Sequence, residues 1–439
     1  MIQHGAVAKL LARIPTAVLI PLVMIIAIGI LNLSSAAQAT RPDLYLSQLS
    51  KFGMACTLML LTGVIHTRYI RRLAFFAYIG AVVLLLLVLL IGTSVKGSQR
   101  WLVYGAMRLQ PSDPAKIALV LAMARYCSLY WPTQGYSIIS LLRPLNISRP
   151  IGLMGLMVLL LVKDRHQSHI FSSEFLTSRL GMGLMIAVMA CALIWLFFAI
   201  AYLWKDGFHF TSLIAPIDVP LLPFLLVYVE PDLGTSVIIL AIAAIMFLFV
   251  GIQRSSIFLG IMGVLVISVG AYFTVLKDYQ KQRLVSFLNP EADLQGDGYQ
   301  AMQSIIAIGS GQVLGKGYSE GTQTQLSFLP ENSTDYIFSV WAEEWGLMAC
   351  YFLLLLYFLL IRAILNLGSR VDDKFSQLIC VGVAANIFIH VLINIGMVTG
   401  LMPVVGVPLV LMSYGGSAMS TTMIGLGLVM NVALWRGAQ

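Results

Sequence analysis

Charge is what this 439-residue chain lacks: Asp, Glu, Lys and Arg make up 10 % of it, against 59 % hydrophobic residues. An ordinary soluble domain carries about 25 % charged residues, so a soluble globular protein is excluded at the outset. Cysteine is also scarce. Cys56, Cys127, Cys191, Cys350 and Cys380 are scattered through apolar stretches, which argues against a disulfide framework or a zinc site and leaves them as small hydrophobes. No soluble domain, low-complexity tail or internal repeat is visible, and the missing repeat weighs against a transporter built from duplicated halves. His166 and His169 sit in a loop and His390 stands alone in an apolar stretch, without the neighbours a metal site needs. A nucleotide-binding loop is missing too. In Gly309-Ser310-Gly311-Gln312-Val313-Leu314-Gly315-Lys316-Gly317, Ser310 replaces the first Walker glycine and Gly317 the Ser or Thr after the lysine. The segment reads as turn-rich.

What the chain has is apolar runs. A crossing helix needs about 20 mostly apolar residues, and such runs lie near 15–33, 48–67, 73–93, 114–131, 180–204, 213–229, 232–251, 256–276, 335–361, 376–398 and 403–433. A shorter run at 150–162 completes about 12 transmembrane spans. The expected fold class is therefore all-α, a polytopic membrane helix bundle. Lys9 and Arg13 ahead of an apolar stretch ending in Ala37-Gln38-Ala39 resemble a secretory signal, but the stretch is long for one, so a retained first span is expected. Placing the amino terminus inside puts Arg68, Arg71, Arg72, Arg254, Arg362, Arg370 and Lys374 in cytoplasmic connections, as the positive-inside bias requires. The net charge of +8 thus reflects membrane topology and not nucleic-acid binding.

Two connections are long, 94–113 and 277–334, and by this topology both are extracytoplasmic, as is the turn at Pro231-Asp232. Long ordered loops carry function more often than not. The second loop runs through Pro330-Glu331-Asn332-Ser333-Thr334-Asp335 into the apolar helix Tyr336-Ile337-Phe338-Ser339-Val340-Trp341-Ala342-Glu343-Glu344-Trp345-Gly346. In the plain reading Ser333 or Thr334 caps that helix and Asp335 complements its positive end. In the functional reading, a carboxylate at the membrane surface meets a lipid headgroup. Glu343 and Glu344 lie about 12 Å deeper at 1.5 Å per residue, where ionisable groups are costly and usually paired. Structural pairing is expected for both.

The earlier loop holds Arg100-Trp101, then Arg108-Leu109-Gln110-Pro111-Ser112-Asp113-Pro114-Ala115-Lys116. Interfacial Trp and Arg anchor many membrane helices without a catalytic role, which is one reading of Trp101; for Arg100, Arg108 and Lys116 the alternative is a clamp on phosphate oxygens. In Glu230-Pro231-Asp232-Leu233-Gly234-Thr235 the aspartate can be a helix cap and nothing more. Near the end, Asn394-Ile395-Gly396, Gly400 to Pro403, Gly406-Val407-Pro408 and Ser413-Tyr414-Gly415-Gly416-Ser417 interrupt two apolar runs, as broken membrane helices do where backbone lines a cavity or packs against protein.

Taken together these segments resemble the SEDS family, the shape, elongation, division and sporulation glycosyltransferases. The matching elements are Arg108 to Lys116 (Q-P-S-E-x-x-K type), Pro231 to Thr235 (P-D-L-G-T), Pro330 to Gly346 (P-E-x-x-T-D-[FY]-I-F) and Ser413 to Ser417 (S-Y-G-G-S), in family order along nearly the whole chain. Ala342 to Gly346 and Gly406 to Pro408 look like the elongation (RodA) branch more than the division (FtsW) branch. The resemblance implies a single membrane domain over 1–439 with ten family helices, polymerisation of lipid II into glycan strands outside the bacterial cytoplasmic (inner) membrane, and a class B penicillin-binding protein as transpeptidase partner beside other elongation-complex membrane proteins. It implies Asp335 as the catalytic carboxylate, Lys116 and Asp113 as its support, and Asp232 as the turn aspartate. Three departures stand out. Asp113 replaces the family's usual Glu, Glu230 replaces its usual Gln, and residues 148–212 are an insertion, read as a membrane hairpin that raises ten helices to twelve.

Glycan polymerisation asks for a base at a sugar hydroxyl and positive charge at a pyrophosphate. The expected assignment makes Asp335 the general base with inversion at the anomeric carbon, and gives pyrophosphate to Lys116, Arg100 and Arg108. Glu331, Thr334 and Ser413 complete the substrate-binding set with Asp113 and Asp232. A divalent cation, Mg or Mn, would bridge to Asp232 or another acid, although no motif identifies a metal site; no organic cofactor is expected. The competing classes are a lipid II flippase and a non-catalytic scaffold of the cell-wall machinery.

Overall fold

The computed structural model of the chain describes residues 15–142 and 216–436, apart from 39–40, 96–97, 105–106, 134, 275–277, 290–292, 294–295 and 327. The expected spans at 150–162 and 180–204, with His166 and His169, lie outside the described residues. In chain order the elements are α1 (Thr16–Ala36), α2 (Leu44–Val64), α3 (Thr67–Ile91), β1 (Thr93–Val95), β2 (Ser98–Tyr104), β3 (Met107–Leu109), α4 (Ser112–Leu129) and α5 (Ile138–Leu142). There follow α6 (Asp218–Val229), α7 (Leu233–Val250), α8 (Arg254–Thr274), α9 (Asp278–Leu288), α10 (Asp297–Ser310), α11 (Thr322–Gln325), α12 (Ile337–Gly368), α13 (Lys374–Val398) and α14 (Gly416–Leu434).

Among the described residues, seven helices are long and apolar enough to cross a membrane: α1, α2, α3, α7, α12, α13 and α14. This is a multi-pass membrane bundle. Its centre is α4, α13 and α14, which are buried nearly all round, as helices in the middle of a large bundle must be. The outer helices α2 and α3 instead present Leu60, Leu61, Val64, Leu73, Leu90 and Ile91 outward, a surface suited to lipid tails. Close approach is set by small residues: a side chain at Gly427 of α14 would run into the Met59 carbonyl of α2 at 2.5 Å.

One end of the bundle is marked by basic residues. Arg71 at the start of α3 pairs with Asp373 ahead of α13 at 2.6 Å, and Lys374 lies 4.6 Å from the Trp131 ring just after α4. Exposed pairs of this kind contribute about 1 kcal/mol or less, so they mark where the helix ends meet more than they hold them. These groups were all expected on one side. The candidate site residues gather at the other end.

The structure adds detail to three segments. The loop at 94–113 folds into an antiparallel sheet of order β1-β2-β3, a small β element attached to the helical bundle. The 277–334 loop contains α9, α10 and α11. And the run at 403–433 is not one helix, since α14 starts only at Gly416 and the preceding residues from Pro403 are non-helical. Pro403 and Pro408 lack the N–H that a helix needs, and Gly406, at φ 69°, takes a backbone conformation open to glycine.

Gly346 breaks α12 at φ 72°, and the turn-rich segment fills the break. Lys316 N donates to the Glu343 carbonyl at 3.1 Å and Gly317 N to that of Glu344 at 3.0 Å, while Leu347 N reaches Gln312 O at 2.9 Å. The residues that look like a failed Walker loop thus supply the hydrogen bonds the kinked helix has lost. Of the two glutamates, Glu343 has the cationic partner expected for it and Glu344 does not, one of its buried oxygens standing without a hydrogen bond. Glu343, fully buried, accepts from Lys316 Nζ at 2.7 Å, Gln323 N at 3.0 Å, and the Thr322 and Thr324 hydroxyls at 3.2 Å each. Glu344 accepts from Ser35 of α1.

Candidate active site

Asp335 stands half-buried in the turn that leads into α12. The plain capping reading does not describe it: the N-cap position is Tyr336, and no side chain caps the helix. The turn is held instead by the non-helical segment before α14. Ser413 Oγ donates to the Thr334 carbonyl at 2.6 Å, Tyr414 N donates to Ser333 O at 2.9 Å, and Asn394 Nδ2 of α13 donates to Asp335 O at 2.8 Å. Within the turn, the Thr334 hydroxyl donates to Glu331 Oε2 at 3.1 Å. Glu331, Thr334 and Ser413 therefore shape the Asp335 backbone. The carboxylate lies over Gly406, where a Cβ would come within 3.4 Å of Oδ2.

Lys116 is buried in α4, 2.9 Å from Asp113 Oδ1 and 3.0 Å from His390 Nε2. An ammonium can only donate, so Nε2 is the acceptor and the imidazole carries its proton on Nδ1, which faces the Pro408 carbonyl at 3.3 Å. His390 and Asn394 are four apart and share one face of α13. Asn394 also donates to Val407 O at 2.8 Å. Hence the Lys116 pair and the Asp335 turn both lean on the same helix face and on residues 406–408.

The third group is the turn between α6 and α7. Asp232 is the N-cap of α7, accepting from Thr235 N at 3.1 Å and Thr235 Oγ1 at 3.0 Å. Gln110 Nε2 adds a bond at 3.1 Å, and Arg100 from β2 lies 3.7 Å away while its guanidinium also donates to the Pro231 carbonyl. Gly234 approaches the Val405 carbonyl so closely that a Cβ would sit 2.9 Å from it. Residues 405–408 thus touch all three groups in turn: the Asp232 turn through Val405, Asp335 through Gly406, and Lys116 through Pro408 and His390. Ser417 closes the circuit by exchanging hydrogen bonds with Gln110 backbone at 3.4 Å.

Glu230 is buried behind this turn, and neither carboxylate oxygen has a hydrogen-bond partner. Burial, reinforced by the Asp232 charge and opposed by Arg100, pushes its acid up to about 9. It is a neutral acid at pH 7. Arg108 is the candidate the structure leaves apart, exposed on β3 opposite Val103. Sequence reasoning set His390 aside. Its signal was the polar pair His390 and Asn394 at helical spacing within an apolar span, where polar groups carry a high cost. Among the described residues no three His, Cys, Asp or Glu side chains are arranged to hold a metal ion, and the Asp232 oxygens are engaged in the bonds above.

The fold and site define a multi-pass membrane protein with a carboxylate, a buried ammonium and a guanidinium gathered at one end of its bundle. The chain belongs to the FtsW/RodA/SpoVE family of cell cycle proteins, whose model matches residues 8–215 and 205–436. It is 34 % identical over 423 residues to the peptidoglycan glycosyltransferase MrdB of Escherichia coli K12, covering 95 % of this chain and 92 % of that one. To the peptidoglycan glycosyltransferase RodA of Treponema pallidum it is 32 % identical over 426 residues, with 94 % and 96 % covered. Among solved structures, a chain from a study of how a peptidoglycan synthase complex coordinates polymerization and crosslinking matches with a TM-score of 0.68 at 24 % identity, covering 96 % of this chain and 98 % of that one. The rod shape determining protein RodA of Thermus thermophilus matches at 0.58 and 23 % identity, each chain covered to 96 %. These structural likenesses concern the fold.

Proposed function

We propose that this protein is a peptidoglycan glycosyltransferase that polymerises lipid II into glycan strands during cell elongation, with Asp335 as general base. The observation that carries the reading is the common seat of Asp335, Lys116 and the Asp232 turn on residues 405–408. Relatives over nearly the whole chain bear the name peptidoglycan glycosyltransferase, which supports the reaction class.

In this mechanism Asp335 accepts the proton of a sugar 4-hydroxyl as that oxygen bonds to the anomeric carbon of the neighbouring lipid-linked sugar. The anomeric C–O bond to pyrophosphate breaks, with inversion, and the lipid pyrophosphate leaves. A carboxylate positioned for such a transfer contributes roughly 10²- to 10⁴-fold. Lys116 has three N–H donors; two face Asp113 and His390, leaving the third for substrate. Arg100 steadies the Asp232 turn and supplies charge for the leaving pyrophosphate, with exposed Arg108 further out on the sheet. Mg or Mn commonly binds through substrate phosphates and one or two carboxylates. The donor set offers no more than that, so no step is assigned to the ion.

The site faces the outer side of the bacterial cytoplasmic membrane in this reading. Its support is the charge pattern, because the site end lies opposite the basic end marked by Arg71 and Lys374. A class B penicillin-binding protein is the proposed partner, cross-linking what this chain makes, and the structural likeness to a chain of a peptidoglycan synthase complex agrees with it. Purified protein, with and without that transpeptidase, incubated with lipid II in liposomes tests the function. Glycan strands on a gel support the polymerase; transfer of lipid II between leaflets without strands identifies a flippase; neither leaves a scaffold.

A further inference from the structure

Beside the Asp232 turn the structure contains a small recess, and of its walls the reading above uses only Arg100 and the Asp232 turn. Its volume is about 60 Å³, and its walls are Arg100, Asp232 and the start of α7, Gln280 and Arg283 of α9, and residues 403–405. A single water needs about 10–15 Å³ on this scale. The recess therefore fits a few waters or one phosphate group, and is far below the roughly 300–1,000 Å³ of pockets that take whole organic ligands. A sugar does not fit; a phosphate does.

The charges suit an anion. Asp232 is the acid in the wall, and its two oxygens already accept from Thr235 N, the Thr235 hydroxyl and Gln110. Two guanidinium groups from separate elements, Arg100 and Arg283, line the recess, and guanidinium matches phosphate oxygens in a planar fork. Gln280 and Arg283 are three apart on one face of α9; Gln280 is buried although α9 is a polar helix, so its amide belongs to the wall. The wall residue Val405 is also next to Gly406, over which Asp335 lies.

We propose that this recess seats one phosphate of the lipid-linked donor's pyrophosphate, and that Gln280 and Arg283 of α9 are positioning residues that close it from the extracytoplasmic loop. The inference rests on the polymerase reading and names the place of its leaving group. α9 thereby ties the large loop to the reaction.

The test uses the full-length protein in nanodiscs. Losing a charge-assisted bond to the donor should raise KM for lipid II by about tenfold to a hundredfold in Arg283→Ala, with a smaller change in kcat, and weaken inhibition by added polyprenyl pyrophosphate to the same degree. Arg283→Lys should recover part of both, because a point charge replaces the fork. Gln280→Ala should shift KM in the same direction, while Lys281→Ala, off that face, should keep wild-type values. Equal KM and equal polyprenyl pyrophosphate inhibition in Arg283→Ala and wild type overturn the assignment. If Arg283→Ala does not fold, Arg283→Lys and Gln280→Ala with unchanged KM overturn it equally. Direct binding of polyprenyl pyrophosphate separates the two readings: Arg283-dependent binding by a wild type that makes no glycan supports the recess while removing the polymerase.

Discussion

Replacing Glu230 with glutamine should change how stability depends on pH. Glu230 is 1 % exposed with both oxygens unbonded, and burial with the nearby Asp232 charge lifts its acid from an ordinary 4.5 to about 9. Between those values the folded protein holds a proton that the unfolded chain has released. The sign follows: the unfolding free energy falls as pH rises from about 4.5 toward 9, with a limiting slope of roughly 1.4 kcal/mol per pH unit for one proton. Above about 9 both states have lost the proton and this contribution levels off. Glutamine has the same shape and does not titrate. Melting temperatures of wild type and Glu230→Gln in nanodiscs, measured at half-unit steps from pH 5 to 9, should therefore diverge, with the variant gaining over wild type as pH rises. Parallel profiles across that range would refute the neutral buried acid.

Two other substitutions test the packing around the site. Lys116→Met should cost about 3–5 kcal/mol, because it leaves the Asp113 carboxylate buried and unpaired; adding Asp113→Asn should recover much of the loss in the same denaturation assay. Glu343→Ala should cost about as much, since it strands Lys316 and the donors at 322–324. Limited proteolysis should then cut within 312–325 at a concentration that spares wild type.

The membrane bundle was legible in sequence because its signal is long apolar runs, and α13 at Lys374–Val398 falls on the run at 376–398 almost residue for residue. The broken segment before α14 was legible only as a set of Pro and Gly interruptions. Its role depends on contacts with Ser333, Thr334, Asp335 and Gly234, at sequence separations that no local pattern encodes. Asp335, Lys116 and Asp113 could be named from their motifs, yet His390 could not, because a single histidine in an apolar span has no partner in its own neighbourhood; the ammonium it meets lies 274 positions away. Glu343 meets the expectation of a paired glutamate through Lys316, whereas Glu344 has the Ser35 hydroxyl on one oxygen and no hydrogen bond on the other. Their partners in α1, α11 and the turn after α10 were out of reach of periodicity. Arg283 and Gln280 were missed for a similar reason: on a polar surface helix they look like ordinary solvated residues until α9 is laid against the Asp232 turn.

Proton transfer to Asp335 is the central step of the proposed reaction. Asp335→Asn keeps the shape of the side chain and removes its basicity, so the purified variant, with the fold checked by its melting temperature, can be compared with wild type by glycan strand formation from lipid II. The polymerisation rate of Asp335→Asn should fall at least about 10²-fold, with KM for lipid II little changed. Strand formation at the wild-type rate by a folded Asp335→Asn protein would contradict that proton transfer.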